Sequence, residues 1–233
     1  MLFLGIDVGT QGARGIVCDE QGQVFAQGTC NFWELNTSRR EGWYEQAPAM
    51  WWDAAGTVIK KCVDALKRTG RKPTEIRAVT VDGTSGTIVL LDEEKHPLRN
   101  ALMYNDMRAA VQAEKIHEHA GELEKKMGYV FNASFALPKI LWIKEQEPYV
   151  YEKAEYMVHQ SDYIVGRLTG EYGITDYSNA LKSGFDLKEE VWPELLEVLG
   201  LDRRIFPSVI PPGQVIGNIT KEACLLYTSP SPR

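Results

Sequence analysis

The N-terminal stretch restricts this chain more than any other part of it. Leu2 to Val8 is a short apolar run broken by one acid, Asp7, and it ends in a compact glycine turn, Gly9-Thr10-Gln11-Gly12. Ala13 to Cys18 resumes with apolar and small residues. Asp19-Glu20-Gln21-Gly22 makes a second turn, and Val24 to Phe32 supplies a third run. Three extended segments joined by two tight turns predict an antiparallel meander. The first glycine turn leads into a strand and not into a helix. That order departs from the alternating strand–helix pattern of a simple nucleotide-binding sheet.

Past the meander the period changes. Trp51, Trp52, Ala55, Val58, Ile59, Cys62, Val63 and Leu66 recur at three- and four-residue spacing, which predicts a long helix opened near Pro48 and ended by Gly70 and Pro73. Ile76 to Val81 reads as a strand, followed by a polar turn, Asp82-Gly83-Thr84-Ser85-Gly86, and a second short run from Thr87 to Leu91. Further helices are expected over residues 105–119, 137–146, 161–168 and 190–199. A strand is expected at Tyr156 to His159, and Ser161 is the expected cap of the helix that Gly170 stops. Pro207, Pro211, Pro212 and Gly213 mark an extended connector. The order predicts an α/β fold with a mixed sheet.

Bulk properties exclude several classes. The 233 residues carry 26 basic and 32 acidic side chains, interspersed, for a net charge of −6, which is no footprint for nucleic acid. No run of eighteen apolar residues occurs, so no membrane span is expected. Cys18, Cys30, Cys62 and Cys224 have neither metal spacing nor a paired framework. No secretory leader pattern is read at Met1, and the thiols fit a reducing compartment. None of His96, His117, His119 and His159 has a convincing metal partner in sequence.

Two turns carry candidate chemistry. In Asp7-Val8-Gly9-Thr10-Gln11-Gly12-Ala13-Arg14, the glycines permit close approach of backbone N–H groups to an anion, and Thr10 and Gln11 add side-chain donors. Asp7 ends an otherwise apolar strand, where a carboxylate calls for a partner, a metal or a ligand. Such a loop suits a transferred phosphate, with Asp7 reaching a nucleotide-bound divalent metal through water and Arg14 touching sugar or phosphate. An ordinary hairpin with an Asp-capped turn fits the same spacing. Asp82-Gly83-Thr84-Ser85-Gly86-Thr87 gathers a carboxylate and hydroxyls that suit a polyol, and it also suits a plain polar connection. Asn105, Asp106 and Arg108 read either as a helix cap with a surface ion pair or as the lining of a sugar pocket. Trp43, in a polar loop with Arg40 and Tyr44, is the tryptophan placed to reach a ligand; the others read as packing anchors.

These pieces, in this order, resemble the FGGY family of carbohydrate kinases, whose lobes share the actin-like, ribonuclease-H-like fold. The matching segments are Gly5-Ile6-Asp7-Val8-Gly9-Thr10, Trp51-Trp52, Asp82 to Thr87 and Tyr104-Asn105-Asp106. Leu137-Pro138-Lys139-Ile140-Leu141-Trp142, Ser161-Asp162-Tyr163, Leu168-Thr169-Gly170, Thr175 to Lys182 and Gly213 to Gly217 continue the series. The resemblance covers about residues 2 to 223. Within the family the likeness leans toward ribulokinase-type pentulose kinases. It rests on Ala13-Arg14 after the glycine turn, on Asp82 to Thr87 and on Asn179-Ala180-Leu181-Lys182. Where xylulokinases carry Gln-Met-His, this chain has Thr84-Ser85-Gly86.

The resemblance implies an N-terminal sugar-binding lobe over residues 1–223. It also implies ATP and Mg2+ as cofactors, with Asp7, Gly9 and Thr10 on the phosphate and metal side. Asp7, Gln11, Gly12, Ala13, Arg14, Asp82, Thr84, Asn105 and Asp106 would face the substrate, a D-ribulose-like ketopentose phosphorylated at a terminal alcohol. D-Xylulose or another polyol is the alternative acceptor, and a non-catalytic actin-like sugar-binding or scaffold protein is the alternative class. The family's general-base aspartate and its nucleotide-binding lobe lie downstream of the segment that matches, so ATP is expected to bind through a lobe absent here and the 233-residue chain is expected to be inactive alone. Residues 224–233, Cys-Leu-Leu-Tyr-Thr-Ser-Pro-Ser-Pro-Arg, read as a non-native read-through tail. No nucleic-acid or membrane partner is expected, a homodimer is compatible with the reading, and the resemblance implies a cytoplasmic setting.

Overall fold

The structure is a computed structural model that describes residues 1–228 of the chain, with side chains as far as residue 224. The expected meander is present as β1 (Leu2–Val8), β2 (Gly12–Asp19) and β3 (Val24–Asn31). Leu2, Leu4, Ile6 and Val8 are buried on one face of β1, as a period of two requires for a half-covered sheet. After the two-residue β4 (Glu45–Gln46) comes α1 (Pro48–Arg68), and then β5 (Ile76–Gly83), which joins β1 in parallel. The sheet order is β3-β2-β1-β5, mixed as expected, with β3 and β5 at its edges.

Helix α1 covers the apolar face. Trp51, Ala55, Val58, Cys62 and Leu66 are fully buried against the sheet. The helix comes unusually close to β3 because Gly28 has no side chain: a Cβ there would meet Val58 O and Lys61 Cβ, each at 2.9 Å.

A second sheet, in the order β4-β7-β6-β8, adds β6 (Ile88–Leu91), β7 (Ala101–Leu102) and β8 (Tyr156–His159). Strand β6 is buried on both faces. Val89 and Leu91 belong to the core under α1, and Ile88 and Leu90 to a second core. That second core is built on α2 (Ala110–Met127) and α3 (Ala136–Gln146), with the short α4 (Pro148–Glu152) beyond. Helix α5 (Gln160–Thr169) packs on α1 and β5 and stops at Gly170 in the left-handed conformation. The parallel pair β9 (Ile174–Asp176) and β10 (Ser208–Ile210), with α6 (Tyr177–Lys182), α7 (Leu195–Val198) and α8 (Lys221–Thr228), completes the described chain.

Several local expectations change. The helix expected from Asn105 starts only at Ala110, because Asn105 and Asp106 sit in a turn whose Asp106 N–H donates to Met103 O. Helix α5 begins at Gln160, ahead of Ser161, and the Asp162 carboxylate accepts the His159 N–H at 3.1 Å. The helix expected over 190–199 shrinks to α7, since residues 186–191 form an isolated bridge instead. Helix α8 runs across position 223, where the lobe was expected to end, and residues 229–233 of the expected tail lie outside the described residues. Among the described residues, no helix is long and apolar enough to cross a membrane.

Candidate functional site

One rung of the first sheet gathers the polar groups. Asp7 pairs with Arg14 across β1 and β2, Arg14 with Thr29 across β2 and β3, and Asp7 with Asp82 across β1 and β5. All four residues are exposed, on the face opposite α1. Cross-strand partners share a face because side chains alternate along a strand. Two carboxylates thus stand side by side with a guanidinium on one flank.

The first turn rises at the end of this rung. Gly9 N–H donates to Gly12 O at 2.9 Å, Phe32 N–H to Gln11 O at 2.9 Å, and the Gln46 amide to Thr10 O at 2.9 Å. The carbonyls of Thr10, Gln11 and Gly12 are therefore all occupied by the protein itself. The N–H groups of Thr10 and Gln11 have no acceptor among the described residues. Gly12 is obligatory: a Cβ there would fall on the Cys30 carbonyl and lie 2.9 Å from Asn31 Cα. Asp7, the whole segment from Gly9 to Arg14, Thr29, Asn31 and Tyr104 line one hollow of about 580 Å³. An adjoining hollow of about 410 Å³ shares Asp7, Arg14 and Thr29 and adds Asp82. Free amides beside oxygen donors suit an anion with its accompanying cation.

The second turn is used differently. Thr84 donates from its N–H and from its hydroxyl to Gln160 Oε1, each at 2.8 Å, and its hydroxyl lies 2.7 Å from that of Thr87. Thr87 Oγ1 in turn accepts the Tyr104 N–H at 3.0 Å. Thr84 therefore links the turn to α5 and to the Tyr104 segment and does not line the hollow. Asn105 follows Tyr104, and its Oδ1 is buried with no donor among the described residues.

Asp106 is separated from this group. It is 0 % exposed, and its two oxygens accept four hydrogen bonds, from Arg108 N, Nε and Nη2 and from Tyr44 N. The pair is thus neither a surface ion pair nor a cap of α2. Arg108 also comes within 2.7 Å of Glu45, which Arg99 shares at 2.7 Å. Trp43 is occupied as well. The Arg108 guanidinium lies 3.7 Å from its ring centroid, and Trp142 meets it edge-on at 5.5 Å. The loop aromatic expected to reach a ligand serves as a platform for a buried cation.

Sequence reasoning missed Gln46, Thr29, Asn31 and Tyr104 as neighbours of the first turn. Thr29 and Asn31 were reachable from strand register, since β3 must lie beside β2. Gln46 had no local signal. Buried titratable groups lie deeper. Burial brings the Lys139 ammonium down to about 7, opposed by the Asp106 carboxylate, while its Nζ donates to Ala133 O at 2.8 Å and Phe135 O at 3.1 Å. Burial holds His159 at about 3, a neutral imidazole, and desolvation pushes the Asp162 carboxyl up to about 7. No group of three or more metal-ligating side chains occurs among the described residues.

Residues 2–227 match the family described as "FGGY family of carbohydrate kinases, N-terminal domain". A glycerol kinase of Thermococcus gammatolerans is 34% identical over 226 residues, covering 94% of this chain and 45% of the relative. A xylulose kinase of Streptomyces coelicolor is 32% identical over 224 residues, covering 94% and 44%. The chain thus spans about half the length of the relatives it matches. The crystal structure of a xylulose kinase from Rhodospirillum rubrum superposes with a TM-score of 0.87 at 26% identity, over 99% of this chain and 47% of that one. The mixed sheet with flanking helices is the N-terminal-lobe architecture of these actin-like proteins.

Proposed function

Since the chain belongs to the FGGY family of carbohydrate kinases, we propose that the whole protein transfers the γ-phosphoryl group of ATP to an alcohol of a sugar or polyol, and that this lobe supplies the phosphate-side turn and part of the acceptor site. The observation that carries the reading is the state of the first turn. The carbonyls of Thr10, Gln11 and Gly12 are satisfied internally, and the Thr10 and Gln11 amides border the hollow with no acceptor among the described residues. Oriented N–H groups held in place before the ligand arrives favour a phosphate oxygen without reorganisation.

The donor set fits Mg2+. That ion prefers hard oxygen ligands, keeps several waters and is commonly held by one or two carboxylates together with substrate phosphates. Asp7 and Asp82 offer such a pair on one rung. When bound, the ion would neutralise charge on the phosphates. Arg14 would orient an anionic or hydroxyl oxygen from the neighbouring strand. Asn105 Oδ1, a buried acceptor with no donor among the described residues, would accept from a hydroxyl of the phosphoryl acceptor.

The relatives carry the names glycerol kinase and xylulose kinase, so they favour D-xylulose or another polyol over the D-ribulose expectation. The test is a panel assay on the whole protein with MgATP and D-xylulose, glycerol and D-ribulose, with the phosphorylated product identified. Phosphorylation of one of them supports the reading, and no transfer to any polyol or sugar refutes it. The 233-residue chain assayed alone is expected to show no turnover.

A further inference from the structure

The glycine turn is held only in part by its own bond. Its internal bond, Gly9 N–H to Gly12 O, closes one side, and Phe32 N–H secures Gln11 O from β3's end. The Thr10 carbonyl is reached from the other sheet by a side chain 36 residues away, Gln46 of β4. Gln46 is 0 % exposed. Its Nε2 donates to Thr10 O at 2.9 Å and to Leu35 O at 3.0 Å, while its Oε1 accepts the Trp51 indole N–H at 2.8 Å. A primary amide has two N–H donors, and both are used. The indole N–H can only donate, so it fixes which end of the amide is oxygen. The amide therefore has one orientation, and in it both hydrogens point at main-chain carbonyls.

We propose that Gln46 is the positioning residue of the phosphate-side turn: it holds the Thr10 carbonyl back, and so keeps the Thr10–Gln11 segment open to the hollow. A peptide plane is rigid, so fixing the Thr10 oxygen fixes the Gln11 N–H on its opposite edge. Without this anchor the plane can rotate and turn a carbonyl oxygen, a repulsive group, toward an arriving phosphate. Trp51 is packed in the α1 core and meets Tyr163 at a centroid distance of 6.2 Å, so the anchor is fixed to a part of the fold that does not depend on ligand. The ligand-binding part of this inference rests on the kinase reading, whereas the turn-positioning part does not.

The test uses Gln46→Glu, which keeps an acceptor for Trp51 and loses both donors. Amide hydrogen exchange on the 233-residue chain reads the Gly9 and Phe32 N–H groups, whose bonds close the turn. Their protection is expected to fall at least about tenfold while Leu4 and Ile6 in β1 keep theirs. In the whole protein, KM for ATP is expected to rise about tenfold or more with KM for the polyol little changed, a split that general loosening would not produce. Unchanged protection at Gly9 and Phe32, or an equal loss across β1, overturns the proposal. If Gln46→Glu does not fold, Gln46→Met keeps the volume and removes all three bonds, and the same comparison decides. If the wild-type whole protein phosphorylates no polyol, the kinase reading fails while the exchange result still settles the role of Gln46 in the turn.

Discussion

Asp7 and Asp82 are Cα partners on the parallel strands β1 and β5, and both are exposed on the face away from α1. Neighbouring strands run about 5 Å apart, so two carboxylates in this relation repel unless something positive lies between them. Neither takes part in an ion pair among the described residues, and Asp82 Oδ1 accepts only the adjacent Gly83 N–H at 2.8 Å.

In the 233-residue chain, Asp7→Asn is therefore expected to raise stability by about 0.5 kcal/mol, since like charges directly opposite destabilise a sheet. In the whole protein the same change should lower kcat about 100-fold, about 2.7 kcal/mol of transition-state stabilisation. Urea melts of the chain and Mg2+-dependent steady-state rates of the whole protein check both halves. A variant that loses stability yet keeps its turnover would place Asp7 in a structural role only.

Gly12 and Gly9 provide a contrast within one turn. A Cβ at Gly12 would collide with the β3 backbone, whereas at Gly9 it meets its nearest atom, Gly12 O, at an ordinary 3.7 Å. Gly12→Ala should cost about 1–3 kcal/mol, as overpacking does, and Gly9→Ala within about 0.5 kcal/mol of zero. Thermal or urea unfolding of the two variants measures this, and equal effects would mean that β3 yields.

Arg108 and Asp106 are buried together, with side-chain exposures of 1% and 0%. Arg108→Met leaves Asp106 uncompensated and should destabilise by about 3–5 kcal/mol. Asp106→Asn should cost less, because Arg108 keeps Glu45. Both changes act through folding and the Tyr44 segment. The ratio of polyol KM values, compared below the melting transition, should therefore move far less than stability does.

Lys139 makes stability depend on alkaline pH. Its folded pKa, lowered to about 7 by burial, lies below the ordinary lysine value, so between the two the unfolded chain binds more protons than the folded one. Stability must then rise as pH increases from about 7 toward 10, because unfolding takes up a proton there. Lys139→Met removes the titrating group. The difference in urea midpoint between wild type and Lys139→Met should shift toward wild type over that window. A pH-independent difference would show that the two carbonyl bonds keep the ammonium charged in the fold.

Much of the architecture is legible in the chain itself. The meander follows from alternating apolar residues and two glycine turns, and α1 from a stripe of tryptophan and aliphatic residues at helical spacing. Strand β8 and the left-handed stop at Gly170 were equally visible. These features are local, set by periods of two and 3.6 residues and by glycine's freedom at positive φ. Strands β4, β7, β9 and β10 were not visible, because two or three residues carry no period and exist only through their partners. The helix expected at 190–199 failed for the opposite reason, as tertiary packing overrode a plausible local pattern.

The candidate site divides along the same line. Sequence alone named Asp7, Gly9 to Arg14 and Asp82, because polar residues at the ends of apolar strands stand out against their surroundings. It could not tell that Asp106 is enclosed by Arg108 and Tyr44, that Thr84 is bonded to Gln160, or that Trp43 lies against a guanidinium. Nor could it find Gln46, whose contact with Thr10 crosses from one sheet to the other. A side chain's type and neighbours along the chain determine what it can bond to. Which bond it makes is decided when the fold removes water from it, since a buried donor must then find whatever acceptor the packing has brought within reach.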